Sequence, residues 1–251
     1  MLNKYVKRHR LTKYENISWS WLTCFEQVVT DGIAKYYIID YGDSRIVTFN
    51  DYWEHQNNQN LPHSGTFTIK YVSEYFYFSS NSYFYKTDSN FSVIDSYQMT
   101  NALYRQFIFD SNSSKFYLPS YKFNQIDIFN TSCSLLQSIV LSIQPYSLSH
   151  YNGALYAGDY SSNKIVVIHN DTVTNYFEVT ECTKFMSGIS VDSFGHFAVT
   201  CSDNQLITIY DSNGNYMNTQ ISTYSQYPRV TSIDSNGRYV IISEKWLDIY
   251  Y

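Results

Sequence analysis

Six histidines, His9, His55, His63, His150, His169 and His196, are the first candidates for proton transfer or metal ligation, and none falls at an HxH or HExxH spacing. His150 lies near a turn that corresponds to those holding Asp192 and Asp234, so a three-ligand site would form only if equivalent turns converge. The competing reading makes these residues turn caps that face water, since Asp and Asn close turns through local hydrogen bonds. Asp40, Asp43, Asp159, Asp203 and Glu244 also sit at polar turns and are the candidate oxygen donors for a hard cation. Such a site needs six or more oxygens brought together from several elements. No Gly-rich phosphate loop, GxSxG elbow or Cys–His arrangement is visible, so phosphoryl and acyl transfer through those motifs find no support.

The four cysteines, Cys24, Cys133, Cys182 and Cys201, form no CxxC pair and show no metal-ligand spacing. Buried thiols account for them. Cys182 and Cys201 stand apart, because one precedes the first strand of a repeat and the other ends the second strand. These strands run antiparallel, which puts both cysteines at one face of a blade and allows a disulfide in an oxidising compartment.

The elements that must position these residues recur with a period of roughly 40 residues. Aligned on the end of a third strand, the repeats finish at Phe49, Tyr85, Phe129, Ile168, Tyr210 and Tyr250, at intervals between 36 and 44 residues. A second apolar strand precedes each, as in Tyr36–Ile39, Tyr75–Phe78, Lys115–Leu118, Leu155–Ala157, Phe197–Thr200 and Tyr239–Ile242. These runs are apolar without alternation, as expected where a sheet is buried on both faces. Turn residues such as Asp31-Gly32, Asn152-Gly153 and Asp234 to Gly237 separate them, and no segment carries a capped helical period. The fold class expected is all-β: a six-bladed β-propeller of four-stranded blades. The expected blades span 25–62, 65–102, 103–143, 144–181, 185–226, and 227–251 completed by 2–14, in a single domain 1–251.

The basic segment serves that last blade. Residues 1–14 hold Lys4, Lys7, Arg8, Arg10 and Lys13 and no acid. The final repeat ends at Tyr251 after three strands, so an N-terminal outer strand is expected to complete it, with lysine and arginine protecting the edge. The rest of the chain then carries 12 basic against 22 acidic side chains. An acidic body of this kind disfavours a nucleic-acid partner, whose phosphates are bound by neutralising cations. No apolar run reaches 18 residues and no hydrophobic stretch follows the basic start, so neither a membrane span nor a secretory signal is expected. The Asn-x-Ser/Thr sequons at Asn16, Asn90, Asn112, Asn130 and Asn170 are about as many as chance gives and do not establish secretion.

Ile189 to Gly195, followed by an apolar strand, a polar turn and a strand ending at Tyr210 to Gly214, resembles the unit of NHL-repeat propellers. Tyr37 to Val47 and Leu155 to Val166 are similar to its second and third strands, with Arg45 or Lys164 opening the third. The Gly-His and Trp-Asp signatures of WD repeats are absent. The resemblance implies a rigid scaffold with recognition loops on one rim. On that basis the expected function is non-catalytic binding of a protein or peptide, with no cofactor and no metal. Tyr41, Asp43, Arg45, Tyr121, Tyr160 and Lys164, on or beside the second-to-third turns, are the expected contact residues. Two alternatives stand beside it. Some propellers of this kind are calcium-dependent hydrolases or lactonases with carboxylates lining the channel. A glycan-binding propeller would repeat an aromatic platform, but Trp19, Trp21, Trp53 and Trp246 recur at no common position. The 27 tyrosines and 16 phenylalanines are better explained by packing between blades.

Overall fold

The computed structural model describes residues 8–10, 22–99, 105–182, 186–202, 205–222, 230–233, 239–242 and 247–250. These form 24 strands, β1 to β24, and no helix among the described residues. β1 is Arg8–Arg10. Five sheets are each made of four consecutive antiparallel strands. The first holds β2 (Leu22–Thr30), β3 (Ile33–Asp40), β4 (Arg45–Phe49) and β5 (His55–Asn60). The second holds β6 (Thr68–Val72), β7 (Tyr75–Ser79), β8 (Tyr83–Thr87) and β9 (Val93–Gln98). β10 (Ile108–Asp110), β11 (Lys115–Ser120), β12 (Gln125–Phe129) and β13 (Leu135–Val140) make the third. The fourth is β14 (Pro145–Tyr151), β15 (Ala154–Asp159), β16 (Lys164–His169) and β17 (Thr172–Glu178). β18 (Met186–Val191), β19 (Phe197–Cys201), β20 (Leu206–Tyr210) and β21 (Tyr216–Ser222) make the fifth. The chain is an all-β propeller of four-stranded blades.

Burial follows strand position within a blade, and the sequence pattern explains why. The second strands β11, β15 and β19 are buried along nearly their whole length, whereas the fourth strands β5, β9, β13 and β17 are largely exposed. Apolar clusters therefore form between blades. Ile126 and Ile128 of the third blade pack with Leu148, Leu155 and Ile168 of the fourth. Tyr156 and Ile165 of the fourth pack with Ile189, Phe197 and Tyr210 of the fifth. Phenylalanines fill the seam between the second and third blades, with Phe84 lying 5.6, 5.3 and 5.0 Å from Phe107, Phe116 and Phe129. Aromatic side chains bury large areas and suit strands, which accounts for most of the Tyr and Phe content.

A five-residue loop joins third to fourth strand in four blades and shows what the recurrent turn acids and amides do. The first residue, Asn50, Asp88, Asn130 or Asp211, accepts backbone N–H bonds from the residues two and four positions on, at 2.8 to 3.0 Å. The fourth residue has positive φ: Trp53 at 63°, Phe91 at 61°, Cys133 at 53° and Gly214 at 82°. Trp53 and Cys133 are buried despite that backbone, so each side chain is tucked beneath its own turn. The Asp192 turn, between first and second strands, repeats the scheme through the N–H groups of Phe194 and His196.

The remaining sheet is composite. Its order is β1, β24 (Leu247–Tyr250), β23 (Tyr239–Ile242), β22 (Val230–Ile233), with Arg8, His9 and Arg10 antiparallel to Tyr250, Ile249 and Asp248. β22 lies against β18 of the fifth blade, and β2 of the first blade lies against β22 and β23. Six blades were expected, the last completed by the N-terminal segment; the structure has five blades of consecutive strands and this composite sheet, whose outer strand is β1. The difference follows from chain connectivity, because the last repeat has three strands and takes its outer one from the N-terminal segment. Residues 1–7 and 11–14 of that segment lie outside the described residues. Cys182 and Cys201 are joined as a disulfide with Cα atoms 5.3 Å apart, while Cys24 and Cys133 are buried free thiols. Burial pushes the Cys24 thiol up to about 11.

Three outcomes follow from these contacts. Deleting residues 1–14 removes the strand paired with β24 and is expected to lower Tm by several degrees; an unchanged melt would refute the role of that strand. Cys182→Ser with Cys201→Ser is expected to cost about 3 kcal/mol, because the crosslink closes a loop of 19 residues; a denaturant melt with and without reductant reads it. His63, stacked 4.2 Å from Tyr83, has its pKa lowered by burial. The unfolded chain thus binds the proton first, so His63 removes stability as pH falls below about 6.5. His63→Gln should flatten that part of the stability–pH curve.

Candidate small-molecule site at the channel mouth

The first strands of the blades, or the residues leading into them, converge on one cavity. Thr23 comes from β2, Phe67 and Thr68 from the start of β6, Arg105 and Gln106 from the approach to β10, Tyr146 from β14 and Ser187 from β18. Five successive blades thus contribute at nearly the same point of the repeat. Gln106 and Ser147 form a parallel bridge, so the innermost backbones of the third and fourth blades touch there.

Arg105 is the cation of this cavity. Its guanidinium lies 4.0 Å from the Phe67 ring centre and 5.5 Å from those of Tyr121 and Tyr146. Its backbone is gripped from the second blade: the Thr68 hydroxyl donates to the Arg105 carbonyl at 3.0 Å and the Ser79 hydroxyl at 3.4 Å. Arg105 has no acidic partner among the described residues; the ion pairs of the first and second blades are Arg45 with Asp40 and Asp43, and Lys70 with Glu26. Four buried polar atoms at or beside the cavity make no hydrogen bond: Thr23 Oγ1, Arg105 Nε, Gln106 Oε1 and Ser147 Oγ. Buried donors and acceptors without partners are uncommon and costly.

Three of the six expected contact residues border this cavity. Tyr41 stacks on Phe67 at 4.6 Å and its hydroxyl accepts from the Asn81 amide at 3.3 Å. Tyr121 and Tyr160 stack at 5.3 Å, and both lie within 5.7 Å of Tyr146. The other three are elsewhere. Arg45 is held by Asp40 at 2.9 Å and by Asp43 at 3.2 Å, so this trio stabilises the turn of the first blade. Lys164 lies over Tyr176 of the outer strand, 5.7 Å from the ring centre. Sequence reasoning missed Arg105, Phe67, Tyr146, Thr23, Gln106 and Ser187. The available signal was Arg105 itself, the sole basic residue between Lys86 and Lys115.

The residues considered for metal binding are engaged in turns. Asp159 accepts from the Gln144 and Ser161 amides at 3.1 Å and from the Ser162 hydroxyl at 2.6 Å. Asp40 is fully buried against Arg45. His150 faces Asp110 at 3.9 Å and Asp192 bonds His196 at 2.8 Å, so each has a partner within or beside its own turn. Asp203, Asp234 and Glu244 lie outside the described residues. Among the described residues no three His, Cys, Asp or Glu side chains cluster, and the cavity presents a guanidinium with neutral groups, a set that does not fit calcium. No helix among the described residues is long and apolar enough to cross a membrane.

No family model matches the chain, and no curated protein matches it in sequence. Solved structures do match in shape. A selenomethionine-substituted virginiamycin B lyase from Staphylococcus aureus superposes with a TM-score of 0.70 at 12% identity, covering 99% of this chain and 88% of that one. A regucalcin from Agrobacterium tumefaciens, described as calcium-binding, gives 0.75 at 10%, covering 96% and 92%. A gluconolactonase from Xanthomonas campestris gives 0.72 at 11%, covering 92% and 86%. At such identities the likeness establishes the fold alone, and the NHL assignment gains no sequence match. The expectation of a non-enzyme is nonetheless overturned, because proteins sharing this fold over most of their length include a lyase and a gluconolactonase.

The Thr68 and Ser79 hydroxyls hold the Arg105 backbone, so Thr68→Val with Ser79→Ala should loosen the cavity at little cost to the blade. The expected outcome is a Tm change within a few degrees, with faster hydrogen exchange confined to the segment around Arg105. Equal exchange in both proteins would show that these hydroxyls do not position it.

Proposed function

We propose that the chain is an enzyme with the lyase- and lactonase-like propeller architecture, acting on a small organic substrate at the channel mouth. The observation that carries this reading is the convergence of five first strands on a cavity with a guanidinium that has no acidic partner among the described residues, together with unsatisfied buried polar atoms. Concave sites with a few convergent polar groups on a rigid scaffold are where small molecules bind. Arg105 would donate to a carbonyl oxygen and stabilise the negative charge that develops on it when water adds to the carbonyl carbon; as that oxyanion collapses the ester C–O bond breaks and the departing oxygen takes the proton released by the water. Thr23, Gln106 and Ser187 would orient the substrate. The composite sheet, seated between the fifth and first blades, acts in this reading as the sixth blade that closes the ring and fixes the channel. A protein or peptide scaffold has no comparable support, since Tyr41, Tyr121 and Tyr160 border a cavity and the charged members of the expected contact set are engaged elsewhere.

A panel of lactones and esters, assayed with wild-type protein and Arg105→Met, tests this reading. Turnover by the wild type and a loss of about 100- to 1,000-fold in kcat for the variant are expected, the usual cost of removing one such donor. Absence of turnover across the panel, or equal rates in both proteins, would overturn it. Loss of activity in EDTA that calcium restores would replace Arg105 with a metal as the centre of the reaction.

A further inference from the structure

The surroundings of Arg105 specify the chemical class of the ligand, an inference that rests on the channel-mouth site above. A guanidinium is a planar cation whose faces stack on aromatic rings and whose edge donates hydrogen bonds in a fork. Phe67 at 4.0 Å, with Tyr121 and Tyr146 at 5.5 Å, surrounds the Arg105 group with rings and leaves the donors at its edge for recognition. Nε, one member of that fork, is buried and makes no hydrogen bond. The chain carries 22 acidic side chains, yet none among the described residues neutralises this cation. The group that matches a guanidinium edge in geometry and charge is a carboxylate, bound through two parallel N–H to oxygen bonds.

The remainder of the ligand is set by what lies beside Arg105. Tyr121, Tyr146 and Tyr160 form a continuous aromatic wall, with ring centres 5.1 to 5.7 Å apart, and Tyr160 is exposed at its outer end. The cavity is small, about 30 Å³, and is partly open to solvent. The body of the ligand must therefore lie over the tyrosines, where a flat ring makes offset-stacked or edge contacts. We infer that Arg105 is a carboxylate receptor and that the channel mouth takes a small aryl carboxylate, its anionic head on the guanidinium edge and its ring on the tyrosine wall.

Titrating the intact chain with benzoate, acetate and benzyl alcohol, by calorimetry and by the NMR signal of the Arg105 Nε–H, separates the two halves of this inference. Benzoate should bind saturably and move the Nε–H signal. Acetate should bind at least tenfold more weakly, and benzyl alcohol should leave the signal in place. Arg105→Lys should weaken benzoate at least tenfold and Arg105→Met should abolish its binding, while Lys164→Met, away from the cavity, should leave it unchanged. Absence of saturable benzoate binding, or equal binding of benzoate by Arg105→Met, would overturn the inference. Equal binding of benzyl alcohol and benzoate would do the same, and this comparison needs only wild-type protein should the variants fail to fold. Benzoate binding without turnover of any panel substrate would leave the carboxylate receptor standing and remove the catalytic reading. Turnover of neutral esters with no effect of benzoate would do the reverse.

Discussion

Every feature of this protein depends on the apolar contact between the faces of neighbouring blades. A four-stranded antiparallel sheet with both faces apolar cannot be stable alone in water, and apolar clusters join the first five blades one to the next. The clusters that join Ile128 to Leu155, Tyr156 to Phe197 and Phe84 to Phe116 are the elements of that chain of contacts. Because each seam needs the next, the array requires closure. Backbone pairing of Arg8–Arg10 with Asp248–Tyr250 supplies the outer strand that the last repeat lacks.

The same packing makes the channel mouth. Once the blades are held face to face, their first strands are the innermost elements, and whatever residues begin them must meet. Five of those starts bring Thr23, Phe67, Arg105, Tyr146 and Ser187 to a common cavity although up to 164 residues separate them. The turns between second and third strands lie beside it and add Tyr41, Tyr121 and Tyr160. Arg105 is tolerated there because aromatic rings cover its guanidinium and two hydroxyls hold its carbonyl, leaving its edge for a ligand.

The acidic turn residues show how a local role can imitate a functional one. Asp88, Asp192 and Asp211 recur for the reason that Asn50 and Asn130 do: a short side chain accepts two backbone N–H groups and closes a five-residue loop. An amide does this as well as a carboxylate, so the recurrence reports hairpin geometry and says little about metal binding. In two of these loops the residue at positive φ is a buried Trp53 or Cys133, evidence that packing beneath the turn outweighs the backbone cost that glycine would avoid.

The amino-acid sequence by itself determined the repeat, the all-β class, the buried second strands and the polar hairpins, because these are local properties with a period of about 40 residues. It also placed Cys182 and Cys201 at one face of a blade, since strand direction alone decides that. Tertiary structure decided the site. No local pattern marks Arg105 or Thr23, and both acquire meaning only when the blades bring their first strands together. Tyr121 and Tyr160 were legible as exposed turn residues, but their meeting with Tyr146 depends on how one blade packs on the next. Arg45 and Lys164 looked equivalent to them from turn position alone, and only the fold showed that nearby side chains had already engaged both. Side-chain convergence across blades is a long-range consequence of packing, and a linear pattern carries no record of it.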